Sequence, residues 1–213
     1  MPEKIAVLID GNNYYHTLKN MGVIPSGVDI FKVCDFVCSH FGFERGDTFY
    51  YISIPHMSDP VYFPHMQYLK SIETDGMKVL KRKLQYKSTN EKKITVRELV
   101  DDMNISDKDK AIVLSSLLTW IGNVEKKEKG IDVMLAVDLI KYTIEGTYAR
   151  CIVFTGDVDL LSAMKYAESK GGNILSSSFR SGYSSELRQG FPNKHFVMEL
   201  DDILNNCLKD KTI

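Results

Sequence analysis

Twice this chain drives an aliphatic run straight into an acidic turn, first IAVLI into Asp10-Gly11 and later CIVFT into Gly156-Asp157. Runs of this length with no polar alternation suit strands covered on both faces, the situation of central parallel strands. A helical pattern follows each run, at 12–20 and in DLLSAMKYAESKG. Parallel strands require such crossovers, because a tight hairpin cannot join them. The fold class predicted is therefore α/β, a three-layer α/β/α sandwich around a central, mostly parallel sheet. In sheets of this kind ligands sit beyond the C-terminal strand ends, near the switch in strand order.

The remaining pattern fills in that plan. Val28 to Phe41 reads as a helix and Asp47 to Ile54 as an aromatic, β-branched strand. Pro55, Pro60 and Pro64 mark an irregular connection before a helix near Met66 to Thr74. Gly76 opens a strand-like segment, MKVLKRKLQY. ITVRELVDDM and DKDKAIVLSSLLTWI have helical spacing amid charged residues, so about 87–128 reads as an insertion or decorated crossover within one domain spanning 1–213. From Gly130 the order is a helix (IDVMLAVDLIKYTI), a strand (ARCIVFT), a helix, two strands (NILSSS and HFVMEL) and a closing helix.

Composition narrows the class. With 44% hydrophobic residues in 213, the chain can build a full core. A formal net charge of -1 means that any nucleic-acid contact must come from a local patch. MPEKIAVLIDG shows no signal-peptide pattern, and no run approaches the roughly 18 apolar residues of a membrane span. The four cysteines are too scattered for a disulfide framework, so the expected compartment is the cytoplasm. Cys34 and Cys38 share a helix face, and no histidine spacing supplies further zinc ligands, so core packing is their expected role.

The acidic residues carry the chemistry. Asp10 and the Asp157/Asp159 pair follow strands, and Asp132 opens a helix. Any one of them could simply cap a helix; their coincidence at junctions of one type favours a shared site. Carboxylates a few ångströms apart raise one another's pKa or demand a cation. Hard divalent ions favour oxygen ligands, and such an ion lowers the pKa of bound water and stabilises charge on a phosphoryl oxygen. Asp138 lies six residues beyond Asp132, turned by roughly 120° and displaced by about 9 Å along a helix, and is read as a supporting acid. Asn13 could hold a water or phosphate near the helix start, or form a cap or Asx turn. Thr155 either orients Asp157 or fills a strand end.

At IDGNN (Asp10 to Asn13), KGIDVMLAVD (Lys129 to Asp138) and TGDVDLL (Thr155 to Asp159) the sequence resembles the NYN domain family, the LabA-like branch of the PIN-like nucleases. The three motifs stand in the family's order, and SSELRQGFPNKHFVMEL resembles its C-terminal part. The long segment before Lys129 departs from the compact pattern. The resemblance implies a Rossmann-like α/β/α sandwich with Mg2+ or Mn2+ and nuclease activity, usually on RNA. It assigns Asp10, Asp132, Asp157 and Asp159 as metal-binding and catalytic acids, with Asn13 beside them.

Lys78, Lys81, Arg82, Lys83, Lys87, Lys92 and Lys93 surround Tyr86 with one acid, Glu91, among them. That pattern fits phosphate contact with base stacking, and equally a solvated surface. Arg180 and Arg188 offer a second contact. RNA, single-stranded or structured, is the expected substrate and DNA a compatible one; a homodimer is compatible with the sequence, and no membrane contact is expected. A haloacid-dehalogenase-type phosphatase would want an acid where Asn12 stands, and neither a dinucleotide glycine turn nor a serine elbow occurs. The alternative from another class is a non-catalytic RNA-binding or regulatory protein on the same fold.

Overall fold

In the computed structural model residues 4–88, 97–120, 124–127 and 130–210 are described. They group into two compact units, one formed by 1–52, 70–81 and 130–213, the other by 53–69 and 82–129.

The first unit is organised by a six-stranded parallel sheet. Its strands are β1 (Lys4–Asp10), β2 (Glu44–Ile54), β3 (Lys78–Lys83), β6 (Arg150–Phe154), β7 (Asn173–Phe179) and β8 (His195–Met198). The order β3-β2-β1-β6-β7-β8 places β6 beside β1, so the chain builds outward on one side and returns to build outward on the other. The switch point lies between β1 and β6, whose registered pairs run from Ala6–Cys151 to Ile9–Phe154. Connections leave these two strands in opposite directions, which opens a crevice at their C-terminal ends.

Both faces of β1 are buried, as an unbroken aliphatic run requires. Ala6 and Leu8 join Cys151, Val153 and Ile174 against helices α5 (Ile131–Ile144), α6 (Leu161–Ser169) and α7 (Ser185–Gly190), which contribute Leu135, Leu139, Met164, Ala167 and Leu187. On the opposite face α1 (Gly11–Asn20) brings Tyr14 to within 5.9 Å of Phe154 and 5.2 Å of Phe179, ring centroid to centroid. Helix α2 (Ile30–His40) buries Val33, Cys34, Val37 and Cys38, the four-residue spacing that turns one helical face inward. All four cysteines are free thiols in the interior. The closing helix is α8 (Leu200–Asn206). This is the three-layer α/β/α arrangement that the aliphatic runs predict.

In the second unit β4 (Gln85–Ser88) pairs antiparallel with β5 (Val124–Lys127), and helix α4 spans Asp107–Trp120. Two details differ from the sequence reading. Helix α3 runs Tyr62–Thr74, starting before the predicted Met66, because Pro64 falls in its first turn, where a missing N–H costs nothing. The segment MKVLKRKLQY is not one strand: it breaks at Leu84, whose N–H donates to the Ile54 carbonyl, and its two halves serve different sheets. Ile94 to Val96 of the predicted helix ITVRELVDDM, together with Glu91, Lys92, Lys93 and Lys129, lie outside the described residues. Among the described residues no helix is long and apolar enough to cross a membrane.

Candidate functional site

Asp10 is the last residue of β1 and the N-cap of α1. One carboxylate oxygen accepts the Asn13 backbone N–H at 3.1 Å, and the other accepts the Thr155 hydroxyl at 3.0 Å. The cap and the candidate ligand are thus one side chain, so the two readings of this residue do not exclude each other. Asp10 is 3% exposed. The next residue must be glycine, because a Cβ at position 11 would lie 2.8 Å from the Tyr51 carbonyl oxygen.

Thr155 follows β6 and works in two directions. While its hydroxyl donates to Asp10, the same oxygen accepts the Asp157 backbone N–H at 3.0 Å. Asn13 adds a second tie: its side-chain oxygen accepts the Gly156 N–H at 2.9 Å. It therefore fastens the two motifs together instead of capping its own helix. Gly156 has no room for a side chain, since a Cβ there would stand 1.7 Å from the carbonyl oxygen of Gly182. The turn Arg180–Gly182 after β7 thus presses on the loop that bears Asp157.

From these ties a cluster emerges. Asp10, Asp132 and Asp157 each offer a carboxylate oxygen, and the three oxygens lie within 4.8 Å of one another. Asp132 reaches the group from the first turn of α5, and Asp157 from the N-cap of the short turn Val158–Leu160, where it also accepts the Asp159 N–H at 2.9 Å. Asp159 is exposed and lies outside this group of three. Asp138 is elsewhere on α5 and accepts the Tyr51 hydroxyl at 3.0 Å.

Electrostatics follow from the crowding. Burial pushes the Asp10 carboxyl up to about 6, and the charges of Asp132 and Asp157 add to it, against the Asn13 amide and the Thr155 hydroxyl. Asp132 is raised too, by burial first and then by Asp157 and Asp159. An oxygen-only donor set, short of positive charge and partly withdrawn from water, fits a hard divalent cation.

The basic residues singled out in the sequence have mixed surroundings. Lys78 pairs with Asp47 at 2.9 Å and lies over the Phe49 ring, and Lys81 pairs with Glu73 at 2.6 Å. Arg82 and Lys83 are exposed, and the backbone of Lys87 is in β4. Arg180 approaches Glu199 at 3.5 Å. The sequence reading missed a recess formed by Tyr183, Gln189, Asn193 and His195 around Arg188. Arg188 and the stretch SSELRQGFPNKHFVMEL stand out in the sequence, but the recess does not, because its residues come together only through the turn before α7 and the one after it.

The fold is a parallel α/β/α sandwich with carboxylates gathered at its switch point, a group that could hold a metal ion. The NYN domain family model matches residues 4–197, and the chain belongs to that family of PIN-like nucleases. Among solved structures, a protein of unknown function from Vibrio parahaemolyticus is similar over 97% of both chains, with a TM-score of 0.57 and 17% identity, a likeness of fold. A comparison with curated proteins gave no match.

Proposed function

We propose that the protein is a metal-dependent nuclease that hydrolyses RNA phosphodiester bonds. Mg2+ or Mn2+ would be held by Asp10 and Asp157 as principal ligands, with Asp132 and Asp159 completing the shell directly or through water. The observation that carries this reading is the meeting of three carboxylate oxygens within 4.8 Å at the end of β1 and β6. Membership of a nuclease family supports it. An ion bound there supplies charge stabilisation at a phosphoryl oxygen and a water of lowered pKa.

The chain's own residues prepare the site. Thr155 fixes the direction of the Asp10 carboxylate and the backbone of Asp157 through one hydroxyl. Asn13 locks the Gly156 loop to α1, so the acids from distant segments hold a set separation before any ligand arrives. Asp138 supports α5 through Tyr51. Arg82 and Lys83, being exposed, suit phosphate contact, whereas Lys78 and Lys81 would first have to leave their acidic partners. Within this reading the chain is one domain of the LabA-like branch, decorated at about 87–128 and located in the cytoplasm.

The test is cleavage of end-labelled single-stranded RNA and DNA with Mg2+, Mn2+ or EDTA. Cleavage should require the metal and fall by about 10³-fold in Asp157→Asn, the equivalent of several kcal/mol of lost charge stabilisation. An Asp157→Asn protein cutting at the wild-type rate would sink the assignment. No cleavage with either metal, together with RNA binding that survives EDTA, would favour the non-catalytic binder instead.

A further inference from the structure

Beyond the acid cluster, a recess of about 410 Å³ lies beside β7 and the start of β8. That volume is near the lower end of the ~300–1,000 Å³ usual for small-ligand sites. It is joined to the acid centre through the backbone: Gly182 lies against Gly156, and Tyr183, the next residue, is part of the recess wall.

The wall has an unusual mixture of groups. Tyr183 and His195 present two rings with centroids 6.1 Å apart, inclined at 46°. His195 is steadied from β7, Nδ1 lying 2.9 Å from the Ser176 hydroxyl and Nε2 3.4 Å from that of Ser178. Burial, then the Arg188 charge, push its pKa down to about 4, so the ring is uncharged at neutral pH. Gln189 and Asn193 contribute amides that both donate and accept. Asn193 sits at φ 63°, a backbone conformation that asparagine tolerates better than most L residues, and the tight turn fixes where its amide emerges. Arg188 is exposed and has no ion pair among the described residues, unlike the neighbouring Arg180. The Arg180 guanidinium lies over the Tyr183 ring, 5.7 Å from its centroid, so a flat base against Tyr183 would take the place of that group. Neutral rings, two amides and the Arg188 cation match a heteroaromatic ring with hydrogen-bonding edges and an attached phosphate.

We propose that this recess is a subsite for one unpaired nucleotide of the RNA strand, with its base against Tyr183, its base edge read by Gln189 and Asn193, and its phosphate at Arg188. Resting on the nuclease reading above, the assignment adds sequence preference to it. Single-stranded RNA is read in this way elsewhere, by stacking on aromatic side chains and by hydrogen bonds to base edges. A free nucleoside monophosphate shares the chemistry, and competition separates the two sources.

The experiment is fluorescence anisotropy of short labelled oligo-A, oligo-C and oligo-U in EDTA, which stops cleavage, with AMP as competitor. The full chain is compared with Tyr183→Leu, Arg188→Ala and Gln189→Ala, each checked by thermal melting. Tyr183→Leu should weaken every oligonucleotide about tenfold, the lower end of what a base–aromatic stack contributes. Arg188→Ala should weaken all three alike and reduce the salt slope by about one ion. Gln189→Ala should flatten the differences among the three. Should a wild-type protein that binds and cleaves RNA have folded variants that bind unchanged, the subsite falls while the nuclease reading stands. Binding lost in the variants of a protein that never cleaves keeps the subsite and removes the nuclease. Wild-type protein that binds no oligonucleotide, or binds AMP alone, overturns the proposal.

Discussion

The crevice at β1 and β6 and the recess beside β7 and β8 belong to one sheet yet solve opposite electrostatic problems. In the crevice three carboxylates crowd together, and the most buried, Asp10, is held well above its ordinary carboxylate range. In the recess a histidine is held neutral beside an arginine that lacks an acidic partner among the described residues. The first place is short of positive charge and the second short of negative charge. A metal ion answers one deficit and a phosphate the other. If both proposals hold, anchoring a strand and cutting it fall to different residues, and substitutions separate them.

The most drastic way to break the comparison is Gly156→Ala, because this glycine is where the two regions touch. A methyl group there would collide with a backbone carbonyl, which cannot swing aside as a side chain would. The expected cost is about 3 kcal/mol of stability, the upper range for overpacking, with metal and RNA binding weakened together. Denaturant melts would show it, and a wild-type midpoint would mean that the loops are not in contact.

Acidity sharpens the contrast, since the two regions respond to it with opposite sign. Folded Asp10 keeps its proton up to about pH 6, whereas the unfolded chain loses it near 3.8. Its contribution is full below 3.8 and is lost as pH rises through 6, on the order of 3 kcal/mol. Folded His195 releases its proton near pH 4, whereas the unfolded chain holds one up to about 6.5. Its contribution is present above 6.5 and lost as pH falls through 4. In the metal-free protein the two slopes oppose each other. Asp10→Asn should leave stability rising between pH 4 and 6, and His195→Gln should leave it falling. Chemical denaturation across that range decides the matter, and unchanged slopes in both variants would remove the electrostatic contrast.

A finer probe is Thr155→Val, which keeps the shape and deletes the hydroxyl shared by Asp10 and Asp157. Mn2+ affinity should drop about 10–100-fold, the usual effect of losing a group that orients a ligand. Oligonucleotide binding in EDTA should hardly change. Equal losses in both assays would show that the two regions are not separable.

The sequence disclosed the crevice more readily than the recess, for a physical reason. An aliphatic run has few places to go other than a covered strand, and an acid at its end inherits a predictable position; Asp10 and Asp157 could be located on that basis alone. Asp132 needed only its place at a helix start. Thr155 and Asn13 were open between roles because spacing does not reveal a hydrogen bond to a residue over a hundred positions away. The resemblance at SSELRQGFPNKHFVMEL covers Gln189, Asn193 and His195 without assigning them a role, and Tyr183 carries no signal, since a tyrosine after a turn is commonplace. The break at Leu84 was hidden for a similar reason: both halves of MKVLKRKLQY have strand composition, and only pairing partners distinguish them.

The hydroxyl bond from Thr155 to Asp10 spans 145 positions of the chain. Until the C-terminal third has been synthesised, the growing polypeptide carries Asp10 and Asp132 with neither the partner acid nor the threonine that aims it. Pairing β1 with β6 closes one of the largest loops in the molecule, a long-range event of the kind that slows folding. The same event brings Asp157 to Asp10, so the three-carboxylate cluster would assemble late and all at once, and a chain ending before Thr155 would lack it.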